Sequence, residues 1–241
     1  MDLKNKVVII TGASRGIGRA VALEFANQKA NVVVSARTIS ELHIIEKNIT
    51  SQGANCLAIK CDVTKKNEVD SLAKSCFERF GTIDILVNNA GMGIYGMVHE
   101  VSEQDFDTMV NINFKGVFLC TKSVLPFMMN QQSGHIITVS SVAAKKPIPN
   151  MAVYCGTKYA LEGFCKTLAK EVKSHNIRVS MIYPGMVNSH FRDGMKNRSP
   201  YSEGQKSMMI QNKDIARSIT FIAQQEPNAL IEELEITAPM F

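Results

Sequence analysis

Short, unbroken apolar runs recur along this chain, each followed by a stretch with helical spacing, and few folds satisfy that order. Val7-Val8-Ile9-Ile10 comes first. An apolar run without polar interruption reads as a strand covered on both faces, as in a parallel sheet layered between helices. Ile17, Val21, Ala22, Phe25 and Ala26 then fall at helical spacing. The order repeats with a strand at Val32-Val33-Val34 and a helix through Leu42, Ile45 and Ile49. It repeats again with Cys56-Leu57-Ala58-Ile59 and a helix through Val69, Leu72, Ala73 and Phe77. Ile83-Asp84-Ile85-Leu86-Val87 is a fourth strand, followed by a long helix over about 103–130 in which Pro126 is placed to cause a kink. Strands at Ile136-Ile137-Thr138-Val139 and Val179-Ser180-Met181-Ile182 flank a helix over about 153–174. A helix near Asp214-Ile215-Ala216 and a strand from Leu230 to Ile236 close the chain. This alternation predicts an α/β fold, a doubly wound Rossmann-type parallel sheet, with ligands bound beyond the carboxyl ends of the strands.

Composition fits one enzyme-sized domain spanning 1–241, since no linker, repeat or low-complexity run divides it. The net charge of +5 comes from 27 basic and 22 acidic residues scattered without a basic block, which argues against nucleic acid or a membrane surface as partner. Six cysteines without a C-x-x-C pair read as reduced thiols inside helices and strands. The first residues run straight into a strand, and no apolar run reaches the roughly 18–20 residues of a membrane span. The expected location is the cytoplasm. His43, His99, His135, His175 and His190 lack metal-ligand spacing and are expected on surfaces or element ends, so no metal site is assigned.

Thr11-Gly12-Ala13-Ser14-Arg15-Gly16-Ile17-Gly18 joins the first strand to the first helix. Glycines there permit a tight turn and let backbone amides approach a phosphate at the positive end of a helix. The spacing, G-x-x-x-G-x-G, is not the G-x-G-x-x-G fingerprint. It serves a nucleotide site or an ordinary tight turn, and the strand-helix junction favours the former. An NAD site usually has an acid at the end of the second strand, bonded to the ribose 2′-hydroxyl. Here the strand ends Ser35-Ala36-Arg37. Without an acid to repel a 2′-phosphate, and with Arg37 and Arg15 to pair with one, the cofactor reads as NADP(H).

Tyr154 and Lys158 stand four residues apart, on one face if the segment is helical, and Ser141 lies 13 residues upstream. A free phenol titrates near pH ~10, and a cation beside it favours the phenolate. One cation at ~5 Å, at an effective dielectric of ~20, supplies about 3 kcal/mol of the roughly 4 kcal/mol needed to reach neutrality, and Lys158 together with a positively charged oxidised nicotinamide would suffice. Singly, each of these residues has an ordinary structural reading; together they describe an acid-base site.

These motifs, in this order, resemble the short-chain dehydrogenase/reductase family over nearly the whole chain. The glycine turn is similar to its cofactor motif, Asp62-Val63 to the pair contacting adenine, and Asn88-Asn89-Ala90-Gly91 to its N-N-A-G turn. Asn113, Ser141, Tyr154 and Lys158 fall where the family has its catalytic tetrad, and Pro184-Gly185 matches the turn beside the nicotinamide. The cofactor contacts so implied are Gly12, Ser14, Arg15, Gly16, Ile17, Gly18, Arg37, Asp62, Val63, Asn89, Ala90, Gly91, Tyr154, Lys158, Pro184, Gly185, Val187 and Ser189. Ser189 stands where the family commonly has threonine and still offers a hydroxyl.

The resemblance implies hydride transfer between a nicotinamide and a carbonyl or alcohol carbon. Tyr154 would donate the proton, Ser141 would bond the same oxygen, Lys158 would hold the ribose and stabilise the phenolate, and Asn113 would hold a water-linked proton path. Met92, Ile94, Tyr95 and Met97, with Phe191, Met195, Tyr201, Met208 and Met209, suggest an adaptable substrate wall. The segment over about 188–213 would close as a lid on Gly194 and Gly204, with Arg192, Lys196 and Arg198 on it. The partner is then a small carbonyl or alcohol substrate. The absence of a glycine-rich closing turn, and of basic residues at Gln131-Gln132-Ser133, weakens a 3-oxoacyl-carrier-protein reductase reading relative to a sepiapterin-reductase-like one. A noncatalytic NADP(H)-sensing regulator would not require the tetrad. Val117, Phe118, Val124, Leu125, Leu161, Phe164, Leu168 and Val172 on the two long helices suggest a homodimer or homotetramer, the assembly common among relatives.

Overall fold

A computed structural model describes residues 1–191 and 201–239. Strand β1 (Val7–Thr11) is buried along its whole length. Its side chains alternate between two cores, as a period of two requires. Val8 and Ile10 join one cluster with Val21, Phe25, Leu42, Ile215 and Ile219, whereas Val7 and Ile9 join another with Leu72, Cys76, Val124 and Leu168. Each fully buried Val or Ile contributes roughly 1.5–3 kcal/mol, so both cores draw on the same strands.

In chain order the elements are α1 (Gly16–Asn27), β2 (Asn31–Ala36), α2 (Ile39–Ser51), β3 (Cys56–Lys60), α3 (Lys66–Phe80) and β4 (Ile85–Asn88). Then come α4 (Glu103–Val110), α5 (Gly116–Gln131), β5 (Gly134–Val139), α6 (Ala152–Glu171) and β6 (Ile177–Pro184). Short pieces follow: β7 (Val187–Asn188), α7 (Glu203–Met208) and β8 (Ile210–Gln211), ahead of α8 (Asn212–Ala223) and β9 (Glu233–Ile236). The main sheet has seven strands in the order β3-β2-β1-β4-β5-β6-β9, every neighbouring pair parallel. Chain direction across the sheet reverses between β1 and β4, which opens a crevice at their carboxyl ends.

The helix expected over about 103–130 is continuous in course but not in type. Between α4 and α5 the residues Asn111–Lys115 form a π-helical turn, which commonly marks a functional site. Gly116 lets that turn pass close to β3, since a Cβ there would lie 2.8 Å from Val63 Cγ2. Helix α5 runs on through Pro126. The last strand is shorter than its apolar pattern, beginning at Glu233 rather than Leu230. Strands β7 and β8 pair separately in parallel, Val187 with Ile210 and Asn188 with Gln211, and tie the two ends of the expected lid together. Gly194, Met195, Arg192, Lys196 and Arg198 lie outside the described residues.

The cysteines are free, and all except the half-buried Cys56 are buried. His135 is the second residue of β5, near an element end as expected, but buried at 1% exposure rather than at a surface. Its Nε2 is 2.8 Å from Ser180 Oγ. Because that hydroxyl donates to Ile231 O, it must accept from the ring, so Nε2 carries the proton. Burial, with the Arg178 cation adding to it, lowers this imidazole to about 3. Among the described residues no helix is long and apolar enough to cross a membrane.

Candidate active site

The glycine turn leaves β1 with Gly12 at φ +63° and enters α1 with Gly16 at φ +57°. The two glycines flanking this turn are fixed by contacts within the protein. A Cβ on Gly12 would sit 2.8 Å from Ala90 Cα, and one on Gly18 would meet Gly12 O and, at 2.5 Å, Asn89 Nδ2. Gly16 differs, since its nearest neighbours would be Ser189 Cβ at 3.7 Å and Asn212 Oδ1 at 3.9 Å. Its requirement is the left-handed backbone, not space. Helix α1 starts at Gly16 with no side-chain cap and no acid in its first turn. Its first amides therefore keep their donors for another partner, the geometry of an anion cradle.

Asn89 locks the N-N-A-G turn onto this one, its Nδ2 donating to Thr11 O at 2.8 Å and Gly12 O at 3.1 Å. Thr11 Oγ1 accepts from the amides of Asn89 at 3.0 Å and Ala90 at 3.1 Å. At the neighbouring strand ends, exposed Arg37 follows β2 and Asp62 follows β3. Burial tends to raise the Asp62 carboxyl, but hydrogen bonds from the Thr64 amide and hydroxyl, with the Arg37 and Lys65 cations, outweigh it and leave it below the usual range. Val63 packs at 8% exposure among the buried residues.

Across the crevice, β5 delivers Ser140 and Ser141, and Ser141 opens a 3-10 turn over Val142–Ala144, its Oγ accepting from Ala143 N at 3.1 Å. Tyr154 and Lys158 lie on the buried face of α6, at 6% and 5% exposure. Lys158 Nζ is 5.7 Å from the Tyr154 ring centroid and donates to Val139 O at 3.0 Å. Asn113, wholly buried in the π-helical turn, completes the group. Its Nδ2 donates to Met92 O and to Thr157 Oγ1, and its Oδ1 accepts from Met92 N. A Cβ on Gly91 would lie 3.5 Å from Asn113 Oδ1 and 3.8 Å from Lys158 Nζ, so the N-N-A-G turn shares one space with these two residues.

In the protein alone, burial is the largest influence on both titratable groups. Burial dominates Tyr154 and pushes its phenol up to about 12, against a hydrogen bond from Ser141 that favours ionisation. Burial likewise pulls Lys158 down to about 8. Removing both groups from water costs more than one cation near the ring returns. A phenol protonated throughout the neutral range is suited to giving a proton rather than taking one.

Thr157 escaped the sequence reading, although it sits within the Tyr154–Lys158 stretch. Its Oγ1 donates to Tyr154 O at 2.7 Å while accepting from Asn113, which links the π-helical turn to the helix bearing the phenol. Phe191 packs on the phenol with ring centroids 5.3 Å apart. Of the expected wall, Met92, Ile94 and Tyr95 pack against the cluster of Met109, Ala143, Met151, Tyr154 and Cys155. Met97 and Met208 are exposed instead, and Met209 is buried. Gly185 donates its amide to Ile236 O at 2.7 Å, fixing the turn after β6 beside β9; Val187 then pairs with Ile210, and Ser189 reaches the Gly16 turn.

The short chain dehydrogenase family model matches residues 6–199. The chain is 33% identical over 235 residues to sepiapterin reductase of Chlorobaculum tepidum, covering 95% of this chain and 94% of that one. It is 34% identical over 232 residues to 3-oxoacyl-[acyl-carrier-protein] reductase of Staphylococcus epidermidis, covering 92% and 93%. A metagenomic short-chain oxidoreductase solved in complex with NADP superposes with a TM-score of 0.84 at 30% identity, covering 98% of this chain and 99% of that one. On these likenesses the chain belongs to the short-chain dehydrogenase/reductase family of oxidoreductases.

Proposed function

We propose that this protein interconverts a carbonyl and a secondary alcohol by hydride transfer with NADP(H). The observation that carries the reading is convergence. Asn113 and Lys158 lie beside Gly91, Lys158 stands 5.7 Å from the Tyr154 ring, and Ser141 hydrogen-bonds the phenol, across the crevice from an uncapped helix start whose neighbouring strand is followed by Arg37 rather than an acid. The dinucleotide supplies the hydride. Gly16 and the first amides of α1 hold its pyrophosphate, and Arg37, with Arg15, reads the 2′-phosphate. Asp62 and Val63 border the adenine, while Pro184, Gly185, Val187 and Ser189 border the carboxamide end. Lys158 holds the ribose, Asn113 fixes the loop at Met92 beside it, Ser141 bonds the reacting oxygen and Tyr154 gives it a proton.

The apolar wall of Met92, Ile94, Ile148 and Met151 suits a substrate with a hydrocarbon or aromatic body. Similarity to both a sepiapterin reductase and a 3-oxoacyl-[acyl-carrier-protein] reductase supports a carbonyl substrate class. Full retention of the tetrad favours an enzyme over a cofactor-sensing regulator. A cytoplasmic enzyme is the matching location. A groove of about 360 Å³ lined by Phe114, Ala160, Gly163, Phe164 and Leu168, with Phe118 41% exposed beside it, supports assembly through α5 and α6 into a homodimer or homotetramer. Val117, Val124, Leu161 and Val172 are buried within the subunit, so that face is narrower than the sequence suggests.

The test is NADPH oxidation against a panel of aldehydes, diketones and pterins, repeated with NADH. Turnover should favour NADPH, and Arg37→Asp should move the preference toward NADH by about tenfold or more, the scale of one charge-assisted hydrogen bond. Equal use of the two cofactors by the unmodified protein would remove the basis for the NADP(H) assignment.

A further inference from the structure

The loop from Asn89 to Met97 carries the substrate wall yet has no helix or strand ladder of its own. Bonds from three other elements hold it. Asn113 fixes both backbone groups of Met92, and Met109 Sδ on α4 accepts from Ile94 N at 3.4 Å. At the far end Asn150 takes hold twice: its carbonyl accepts from Gly96 N at 2.9 Å, and its Nδ2 donates to Tyr95 Oη at 2.7 Å. Asn150 achieves this in the left-handed region, at φ +63°, where asparagine is among the few side chains tolerated. It stands four residues before Tyr154 and directly ahead of Met151, which caps α6. One residue therefore joins the wall-bearing loop to the entry of the helix that carries the proton donor. Ile94 and Met151 pack in the same cluster as Tyr154, so the spacing between the two loops is the spacing of the walls around it.

We infer that Tyr95 and Asn150 form a clamp that fixes the width of the substrate pocket beside Tyr154 and thereby sets which carbonyl compounds it admits. The inference rests on the carbonyl-reductase reading above. Both are positioning residues: neither transfers a proton, and each acts through the walls it holds.

The test compares Tyr95→Phe, which keeps the ring and deletes the acceptor, with Asn150→Gly, which keeps the left-handed backbone and deletes the donor. With NADPH, each should raise KM for phenylpropanedione about five-fold, the size of one neutral hydrogen bond, while kcat and NADPH affinity hold. Discrimination between phenylpropanedione and the small diketone diacetyl should shrink in both. The double variant should be no worse than the more affected single one, because the two changes remove the same bond. Additive effects, or a fall in kcat with KM unchanged, would overturn the clamp. If the unmodified protein oxidises NADPH with neither diketone nor any other member of the panel, the functional reading fails by itself. The clamp is then judged by amide exchange of Tyr95, Gly96 and Met97, which should speed up in both variants and would contradict it by staying unchanged.

Discussion

Lys158 is the residue proposed to join acid-base chemistry to cofactor binding. Burial brings its ammonium down to about 8, from the 10.5 of a free lysine. A depressed basic group is cationic below its shifted value and neutral above it. If the cation helps hold the dinucleotide, NADPH affinity should be flat below pH 8 and decline above it. Lys158→Met should bind more weakly and lose that decline, as a fluorescence titration across the range would show. A flat profile in the unmodified protein would separate the lysine charge from binding. The residues that announced themselves in the sequence were those whose spacing states their geometry, such as Tyr154 and Lys158 at one helical turn. Thr157 and Thr11 did not, because each matters through a bond to a distant residue, Thr157 to the Asn113 side chain and Thr11 to the amides of Asn89 and Ala90, and a threonine in a helix or strand carries no mark of that. The expected lowering of the Tyr154 pKa rests on Lys158 together with an oxidised nicotinamide; the burial that opposes it in the protein alone was not legible, since sequence shows a neighbouring cation but not depth.

At the scale of elements, apolar runs and helical spacing located the seven strands of the main sheet and the large helices. They missed the π-helical turn, the β7–β8 pair and α7, whose patterns are too short to show a period. The burial of His135 was not legible, because a single polar residue at the start of an apolar run marks a strand end without showing whether that end is covered. In the fold it pairs in register with Ile85 and Arg178 at the centre of the sheet. Its imidazole is depressed to about 3 from 6.5, so the unfolded chain takes up a proton between those values and the folded one does not. That contribution to stability is fully present above about pH 6.5 and is lost as pH falls toward 3. Chemical denaturation at a series of pH values should show stability declining through this window. His135→Gln, which can keep a donor toward Ser180, should flatten it. The same acid slope in the variant would mean the carboxylates alone account for it.

For the molecule as a whole, the order of strands and helices was legible as a doubly wound sheet, and the motifs placed the crevice. What the chain does not spell out is how its ends are fastened. Lys145, just beyond the Ser141 turn, pairs with Glu162 of α6 at 3.0 Å and Glu233 of β9 at 2.7 Å, and its ammonium lies 4.4 Å from the Tyr183 ring centroid. Those partners are 17 and 88 residues away, beyond any local pattern. The central claim, that this assembly reduces a carbonyl with Tyr154 as the proton donor, is tested most directly by Tyr154→Phe. The change removes one hydroxyl from a buried ring that still packs against Phe191 and the apolar cluster around it. NADPH turnover with the best substrate of the panel should fall by at least about a hundredfold, while NADPH binds as before. Turnover within a few-fold of the unmodified protein, with binding intact, would contradict the account.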